Sequence, residues 1–176
     1  FNFYLNLVNP ESPGANNYLY WQAYVDNFSD QVGAEYDSFT YTGRGYPSYR
    51  YKGFTRSISL DFTIVATSPD QMLPIYTKLN ELIQNLAPNY SSNGYIRGNF
   101  VKLTFGDYLV NVPGIINGFS INPIFEAGFD IGGSDSQFIT SGKQLPKAIK
   151  ISGFNFTPIA SNDNRLVSSD SKFISY

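Results

Sequence analysis

The chain has 176 residues, of which 42% are hydrophobic and 17% aromatic, and its net charge is −2. This length suits one domain with a sizeable core, and the charge does not favour a nucleic-acid partner, which requires a strongly cationic face. Histidine and cysteine are both absent, which excludes Ser-His-Asp triads, cysteine nucleophiles, disulfides and the usual zinc, haem and iron–sulfur sites.

The first half of the chain predicts β-structure. Its many Tyr and Phe rings suit pleated surfaces, and alternation predicts strands over 1–8 and 18–25. Residues 26–53 lose the alternation and carry several Gly residues and Pro47, so we expect a long hairpin or an excursion loop. The clearest strand follows, with one apolar face and one small polar face. The apolar face holds Ile58, Leu60, Phe62 and Ile64, and the polar face holds Ser57, Ser59, Asp61 and Thr63.

A helix is predicted after this strand. Ser68 is expected to be the N-cap, with Pro69 at the first helical position and Gln71 completing a capping box. Apolar residues then recur at helical spacing, which predicts one amphipathic helix over about 68–87, covering one side of a sheet. Pro74 weakens the first turn, so we expect regular helix to begin a residue or two later.

The sequence after the helix returns to β-structure. A polar loop over 89–99 precedes a predicted hairpin, whose strands cover 100–105 and 108–112 and meet at a turn containing Gly106-Asp107. Pro113-Gly114 predicts a further turn into the next apolar segment.

The remaining residues predict one more long loop and one more strand. Several Gly residues indicate the loop over 126–144. The last strand is predicted over 145–159, with a β-bulge at Gly153 because the apolar phase shifts there. The polar tail, 160–176, is expected to be extended.

One segment interleaves cations with aromatic rings, at Arg44, Tyr46, Tyr49, Arg50 and Tyr51. Such mixtures bind single-stranded nucleic acid by stacking and phosphate contacts. The same residue types are enriched at protein interfaces. Because the chain is acidic overall, an interface is the favoured interpretation.

Carboxylates are the remaining candidates for catalysis or for metal binding. Asp61, Asp107, Glu126 and Asp130 could converge as a glycosidase pair, although no spacing selects one. The segment 130–135 resembles a calcium loop, yet it lacks the third acidic position and the closing Glu of an EF-hand. We therefore predict neither a catalytic residue nor a metal or cofactor.

Five segments carry a family resemblance, in this order: Arg56–Val65, Ser68–Leu82, Gly98–Tyr108, Val112–Ile116 and Leu145–Ile149. Their succession of strand, capped helix, hairpin and late strand resembles tail-tube-like domains. Such domains occur in baseplate and tube-initiator proteins of tailed bacteriophages, especially contractile-tailed ones. The resemblance covers about two thirds of the chain, roughly 51–159.

The resemblance implies one mainly β domain over 1–176, an antiparallel β-sandwich or barrel flanked by the helix. Its core would lie at 51–159, with N-terminal strands and a long loop over 1–50. It implies a homo-oligomeric ring, usually hexameric, that initiates or extends a tail tube and contacts other tail or baseplate proteins. Such a virion protein is assembled in the host cytoplasm, is not an enzyme and does not enter a membrane, and DNA passes its channel without specific binding. The channel-lining candidates are Ser57, Ser59, Asp61 and Thr63, and the inter-subunit candidates are Arg44, Tyr46, Tyr49, Arg50 and Tyr51.

Two other functions fit the residues. Surface Tyr side chains could serve a carbohydrate- or receptor-binding β-sandwich, and the carboxylates could serve an enzyme acting on sugars. The solvated outer face of an ordinary monomeric sheet also produces the alternation at 57–64.

Overall fold

The computed structural model describes residues 3–8, 16–90, 96–130 and 145–159. Strands account for most of these residues, and one helix accompanies them. The strands are β1 (Phe3–Val8), β2 (Asn16–Tyr20), β3 (Ala23–Phe39), β4 (Ser48–Val65), β5 (Asn89–Tyr90), β6 (Ile96–Arg97), β7 (Phe100–Phe105), β8 (Leu109–Asp130) and β9 (Leu145–Pro158), and the helix is α1 (Pro69–Leu86).

One antiparallel sheet of seven strands organises the domain, in the order β2-β1-β7-β8-β9-β4-β3. The sheet rolls over on itself, because side chains from strands far apart in this order touch. The rings of Phe3 and Phe62 lie 5.1 Å apart, and those of Phe28 and Phe105 stack at 4.3 Å. No ladder joins β2 to β3 within the described ranges. The prediction of a mainly β, antiparallel fold with one helix is confirmed.

The core lies inside the rolled sheet. In β4 the apolar positions from Ile58 to Ile64 are all buried, as the alternation predicted. The core also includes Leu5, Leu7 and Leu19. It therefore extends beyond the predicted 51–159, because β1 lies inside the sheet, between β2 and β7.

Helix α1 closes one side of this core with Leu79 and Leu82. The predicted start needs two corrections. Ser68 occupies the N-cap but makes no side-chain cap hydrogen bond, and the Gln71 side-chain oxygen accepts instead from the Thr67 backbone N–H at 3.0 Å and hydroxyl at 2.9 Å. The helix also runs through Pro74 without a delayed start, since Pro74 faces solvent, where water can satisfy the carbonyl that loses its partner. Within the described residues, no helix is both long and apolar enough to cross a membrane.

The region over 26–53, for which a long hairpin or an excursion loop was expected, forms most of a long hairpin. The predicted strand over 18–25 is interrupted at Trp21 and Gln22, and β3 then pairs with β4 from Ala23↔Ile64 to Phe39↔Ser48. Only residues 40–47 connect the two strands. The alternation fades because both faces of the outer half of this hairpin are open to solvent, so burial imposes no period on its sequence.

The structure of β8 shows that the turn predicted at Pro113-Gly114 was wrong. The expected turn at Pro113-Gly114 does not form, and both residues continue β8. Gly114 pairs with β7 on one side and β9 on the other, and the ring of Phe156 lies directly against it. The glycine is there for close packing, not for a change of direction.

The remaining predictions have mixed outcomes. The bulge at Gly153 is confirmed: the pairing with β4 shifts register between Leu60 and Phe62, and Gly153 has φ +63. Within the predicted loop at 89–99, β5 and β6 form a short ladder. Of the loop predicted at 126–144, the first residues belong to β8, while 131–144 lie outside the described residues, as does the tail 160–176.

Replacing Gly114 with alanine should destabilise the fold by roughly 2 to 3 kcal/mol, because the new methyl group has no room beside Phe156. Gly118→Ala is the matched control: it lies in the same strand, and nothing stands within 4 Å of its added Cβ. Urea unfolding monitored by circular dichroism measures both variants. Equal stability of the two would refute the packing role of Gly114.

Candidate functional site

The long strands β3, β4, β9 and β8 are neighbours and share one outward surface, here called the polar face. Cross-strand pairing, such as Ser29↔Ser59, Thr63↔Lys150 and Asn122↔Lys150, aligns its residues in rows. The polar residues of this face are Asp26, Asn27, Ser29 and Gln31 from β3, Ser57, Ser59, Asp61 and Thr63 from β4, Asn117, Ser120 and Asn122 from β8, and Lys150, Ser152, Asn155 and Thr157 from β9. The same face also carries two large exposed side chains, Tyr24 opposite Thr63 and Ile115 opposite Thr157. It thus contains all four predicted channel-lining residues, each of them half-buried.

Side chains of the polar face bond to one another across strands. Ser57 donates to Asn155 Oδ1 at 2.9 Å. Asn122 Nδ2 donates to Ser152 Oγ at 2.7 Å, and Asn117 Nδ2 donates to Thr157 Oγ1 at 2.8 Å. Much of the hydrogen-bonding capacity of this surface is therefore used within the subunit.

The charged groups of the polar face are also engaged. Asp61 accepts a 2.7 Å hydrogen bond from the Gly153 backbone N–H and so caps the β9 bulge. Asp26 accepts from the Thr63 hydroxyl at 2.8 Å and lies 3.3 Å from Lys150 Nζ. The Thr63 hydrogen bond, with the Lys150 ammonium, holds the pKa of Asp26 below its ordinary value. Two carboxylates against one ammonium leave the face slightly acidic.

The edges of the sheet differ in whether side chains protect them from pairing with a further strand. At the β2 edge, Lys78 of α1 donates to the Tyr20 carbonyl at 2.8 Å and lies 4.0 Å from the centroid of its ring. Asn17 of β2 donates to Glu81 of α1 at 3.3 Å. The helix therefore occupies this edge with charged side chains, a common protection against unwanted strand pairing.

Two other edges are not protected in this way. Within the described ranges, β3 pairs only with β4, and β8 pairs only with β9 beyond Gly114. These two edges bound the same four-stranded unit, one on each side. Each presents a row of backbone groups able to pair with a further strand.

The hairpin of β3 and β4 extends past the rest of the sheet. The last residue of β4 to pair with β9 is Ile58, so the segment 32–55, here called the arm, consists of two strands only. Two-stranded hairpins on their own are marginally stable in water. The arm nevertheless exposes many large side chains: Val32, Tyr36, Phe39, Tyr41, Tyr46, Tyr49, Tyr51 and Phe54.

The predicted inter-subunit residues all lie on the arm, but in three different places. Arg44 and Tyr46 belong to the connection at its tip, where Tyr46 is 87% exposed. Tyr49 and Tyr51 lie on one face, and Arg50, paired with Asp37, lies on the other. The structure adds Val32, Tyr36 and Phe54 to the face of Tyr49 and Tyr51. Knowledge of the hairpin register would have identified them.

A buried ion pair fixes the base of the arm to the body. Arg56 donates from Nε and Nη2 to the two carboxylate oxygens of Asp30, at 3.0 and 2.6 Å. Tyr108, beside the β7–β8 turn, donates its hydroxyl to Asp30 at 3.1 Å. The Arg56 and Asp30 side chains are only 7% and 8% exposed. The guanidinium of Arg56 holds the pKa of Asp30 below its ordinary value, and burial raises the pKa of Tyr108.

The carboxylates considered for catalysis do not form a pair. Asp61 is bound to the bulge, and most of the length of β8 separates Asp107 from Glu126. The side chain of Asp130 and the rest of the calcium-loop candidate, 131–135, lie outside the described residues. Elsewhere in the described chain, no three acidic residues cluster as a metal site would require.

No protein-family model matches this chain, and no curated protein is detectably similar to it.

Replacing Asp30 with asparagine should lower the free energy of unfolding by about 3 kcal/mol, because the Arg56 guanidinium stays buried without its counter-charge. The matched control is Asp37→Asn. It breaks an exposed 3.9 Å pair with Lys52 and should cost no more than about 0.5 kcal/mol. Urea denaturation of both variants is the measurement, and similar small losses would refute a structural role for the buried pair.

The stability difference between the wild type and Asp30→Asn should depend on pH. The folded pKa of Asp30 lies below the ordinary value of 3.8. The stabilisation by the carboxylate is therefore complete above the unfolded pKa and is lost as pH falls through the folded pKa. Urea unfolding at a series of pH values from about 6 to about 2 should show the difference shrinking. A difference that stays constant over this range contradicts the assignment.

Proposed function

We propose that this chain is a structural subunit of a bacteriophage tail or baseplate, whose copies join edge to edge into a ring around a DNA channel. One observation carries the proposal. A four-stranded unit has a polar face on one side and the core on the other, and no strand of the described residues pairs with either of its outer edges, whereas α1 occupies the edge of β2. The family resemblance of the sequence supports the same role.

The strand directions favour closure. Along β8-β9-β4-β3 each strand is antiparallel to the next, so β8 and β3 run in opposite directions. Rotation about an axis along the strands preserves these directions. The β3 edge of one copy therefore meets the β8 edge of the next in antiparallel fashion, and the alternation continues around the ring. Such a head-to-tail contact generates a closed ring when the rotation closes.

The polar face is the side that suits a channel. The other side of the four strands carries the core, so a ring built from these edges turns the polar face toward the lumen. Side chains already bonded to one another offer few free groups to a passing polymer. A slightly acidic wall also repels phosphates weakly, which favours passage of DNA without adhesion.

The aromatic rings of the arm are not arranged as in a sugar-binding platform. The rings of Tyr36 and Tyr51 meet edge to face, at 75°, and those of Phe39 and Tyr41 do so at 83°. Neither pair forms the flat surface on which a sugar ring stacks.

Cysteine cross-linking tests the joint, because the natural chain contains no cysteine. Ser29→Cys on β3 and Ser120→Cys on β8 both lie on the polar face, near the two free edges. A short bifunctional maleimide should link such double variants into a ladder of oligomers that ends at the closed ring. The control is Ser29→Cys with Tyr18→Cys, which places the second thiol on the protected β2 edge.

Light scattering of the cross-linked material gives the number of copies. A ladder for the β3–β8 pair and none for the control is the expected result. Equal cross-linking of both pairs, or of neither at concentrations where the chain self-associates, would refute the ring.

A further inference from the structure

The two faces of the arm differ in chemistry. The pairing of β3 with β4 places Val32, Ala34, Tyr36, Tyr49, Tyr51 and Phe54 on one face, here called the aromatic face. This face continues the core side of the sheet beyond the body that would cover it. The opposite face continues the polar face and carries Glu35, Asp37, Arg50 and, beside the β-bulge, Lys52.

We propose that the aromatic face of the arm is a docking surface for a second copy of this chain. This inference rests on the self-association that the proposed function requires, and adds a contact distinct from the edge joint of the ring. Exposed fractions show how much is uncovered: 58% for Tyr36, 69% for Tyr49, 54% for Tyr51 and 44% for Phe54. On a monomer this apolar strip would stay in water.

The size of the surface suits part of a protein interface. Full burial of the four aromatic side chains would remove on the order of 100 Å² each. That is roughly half of the ~800 Å² that one partner contributes to a standard interface. Val32 and Tyr46, which are 62% and 87% exposed on the arm, supply further contact area.

Charge complementarity indicates a second copy as the occupant. The arm carries Arg44, Arg50 and Lys52 against Glu35 and Asp37, which gives it one net positive charge. Since the whole chain has a net charge of −2, the remainder carries −3. The arm and the rest of the chain thus have net charges of opposite sign. Because Arg44 lies at the tip and Arg50 and Lys52 lie on the opposite face, this attraction favours the approach of another copy and does not itself form the contact of the aromatic face.

Contacts at the base of the arm fix its direction relative to the body, which favours docking. Asp30, Arg56 and Tyr108 tie β3 and β4 to the body where the arm departs. The stacked rings of Phe28 and Phe105 lie beside this network. An arm with a fixed direction loses less conformational freedom on binding than a loose one.

The test compares two double variants, each of which removes one cross-strand pair of the arm, from the aromatic face or from the opposite face. Tyr36→Ser with Tyr51→Ser removes an aromatic pair from the aromatic face. Asp37→Ser with Arg50→Ser removes the adjacent cross-strand pair from the opposite face. Sedimentation velocity over a concentration series measures self-association of the wild type and both variants. Amide hydrogen exchange then compares protection of residues 33–54 in dilute and assembled protein.

The aromatic-face variant should raise the concentration for half-assembly at least tenfold, while the opposite-face variant should shift it no more than threefold. Arm amides of the wild type should gain protection on assembly. Thermal unfolding of each variant at low concentration verifies that the body is folded.

Several results would overturn the docking proposal. These are an unchanged assembly midpoint in the aromatic-face variant, arm amides without added protection in the assembled wild type, and a wild type that stays monomeric at every soluble concentration.

Failure of the docking proposal is distinguishable from failure of the ring: a normal Ser29–Ser120 cross-linking ladder in the aromatic-face variant refutes docking alone. If that ladder is absent from the wild type while the aromatic-face variant still weakens self-association, the ring is refuted and docking stands.

Discussion

Unpaired backbone groups at the edges of a β-sheet are the constraint on which this structure depends. Each free N–H and C=O along an edge strand can pair with another chain, so folded proteins block such edges or use them. Here the two responses occur in one molecule. Lys78 and Glu81 of α1 block the β2 edge, whereas the long edges of β3 and β8 carry no such protection in the described part of the chain. The difference divides the molecule into a closed body and an open four-stranded wall.

The wall also explains the placement of the polar residues. A sheet with a core on one side needs only a soluble surface on the other, and scattered charged residues would suffice. The polar face instead uses mainly Ser, Thr and Asn side chains bonded across strands, and its charged groups are Asp26, Asp61 and Lys150. Small, mutually bonded side chains therefore make up most of this face, with Tyr24 and Ile115 as larger exposed members, and this composition suits the channel wall proposed above.

Local sequence predicted the parts of the fold that are governed by burial or by special backbone geometry. In β4 one face is buried, so apolar and polar residues alternate and the strand could be predicted. The span of α1 followed from apolar spacing, and the bulge at Gly153 followed from a phase shift. For β3 the sequence left a hairpin and an excursion loop open, because the outer half of the β3–β4 hairpin is exposed on both faces and carries no period. The turn predicted at Pro113-Gly114 was wrong for another reason. Glycine is typical of turns, but here it is required because the ring of Phe156 packs against Gly114, a contact that the local sequence does not reveal.

The candidate site was predictable to a similar degree. The four polar positions of β4 were found because they alternate with core residues. Their partners, such as Asn155 for Ser57, come from distant strands and depend on a register that no local pattern reveals. The same holds for Asp30, Arg56 and Tyr108, whose contact joins residues far apart in sequence. Cryo-electron microscopy of the assembled protein would show how the copies join. We expect an uninterrupted antiparallel wall made of β3, β4, β9 and β8 from successive copies, with Ser59 and Asp61 facing the lumen. Copies joined through other surfaces, with the polar face covered or turned to the outside, would contradict this expectation.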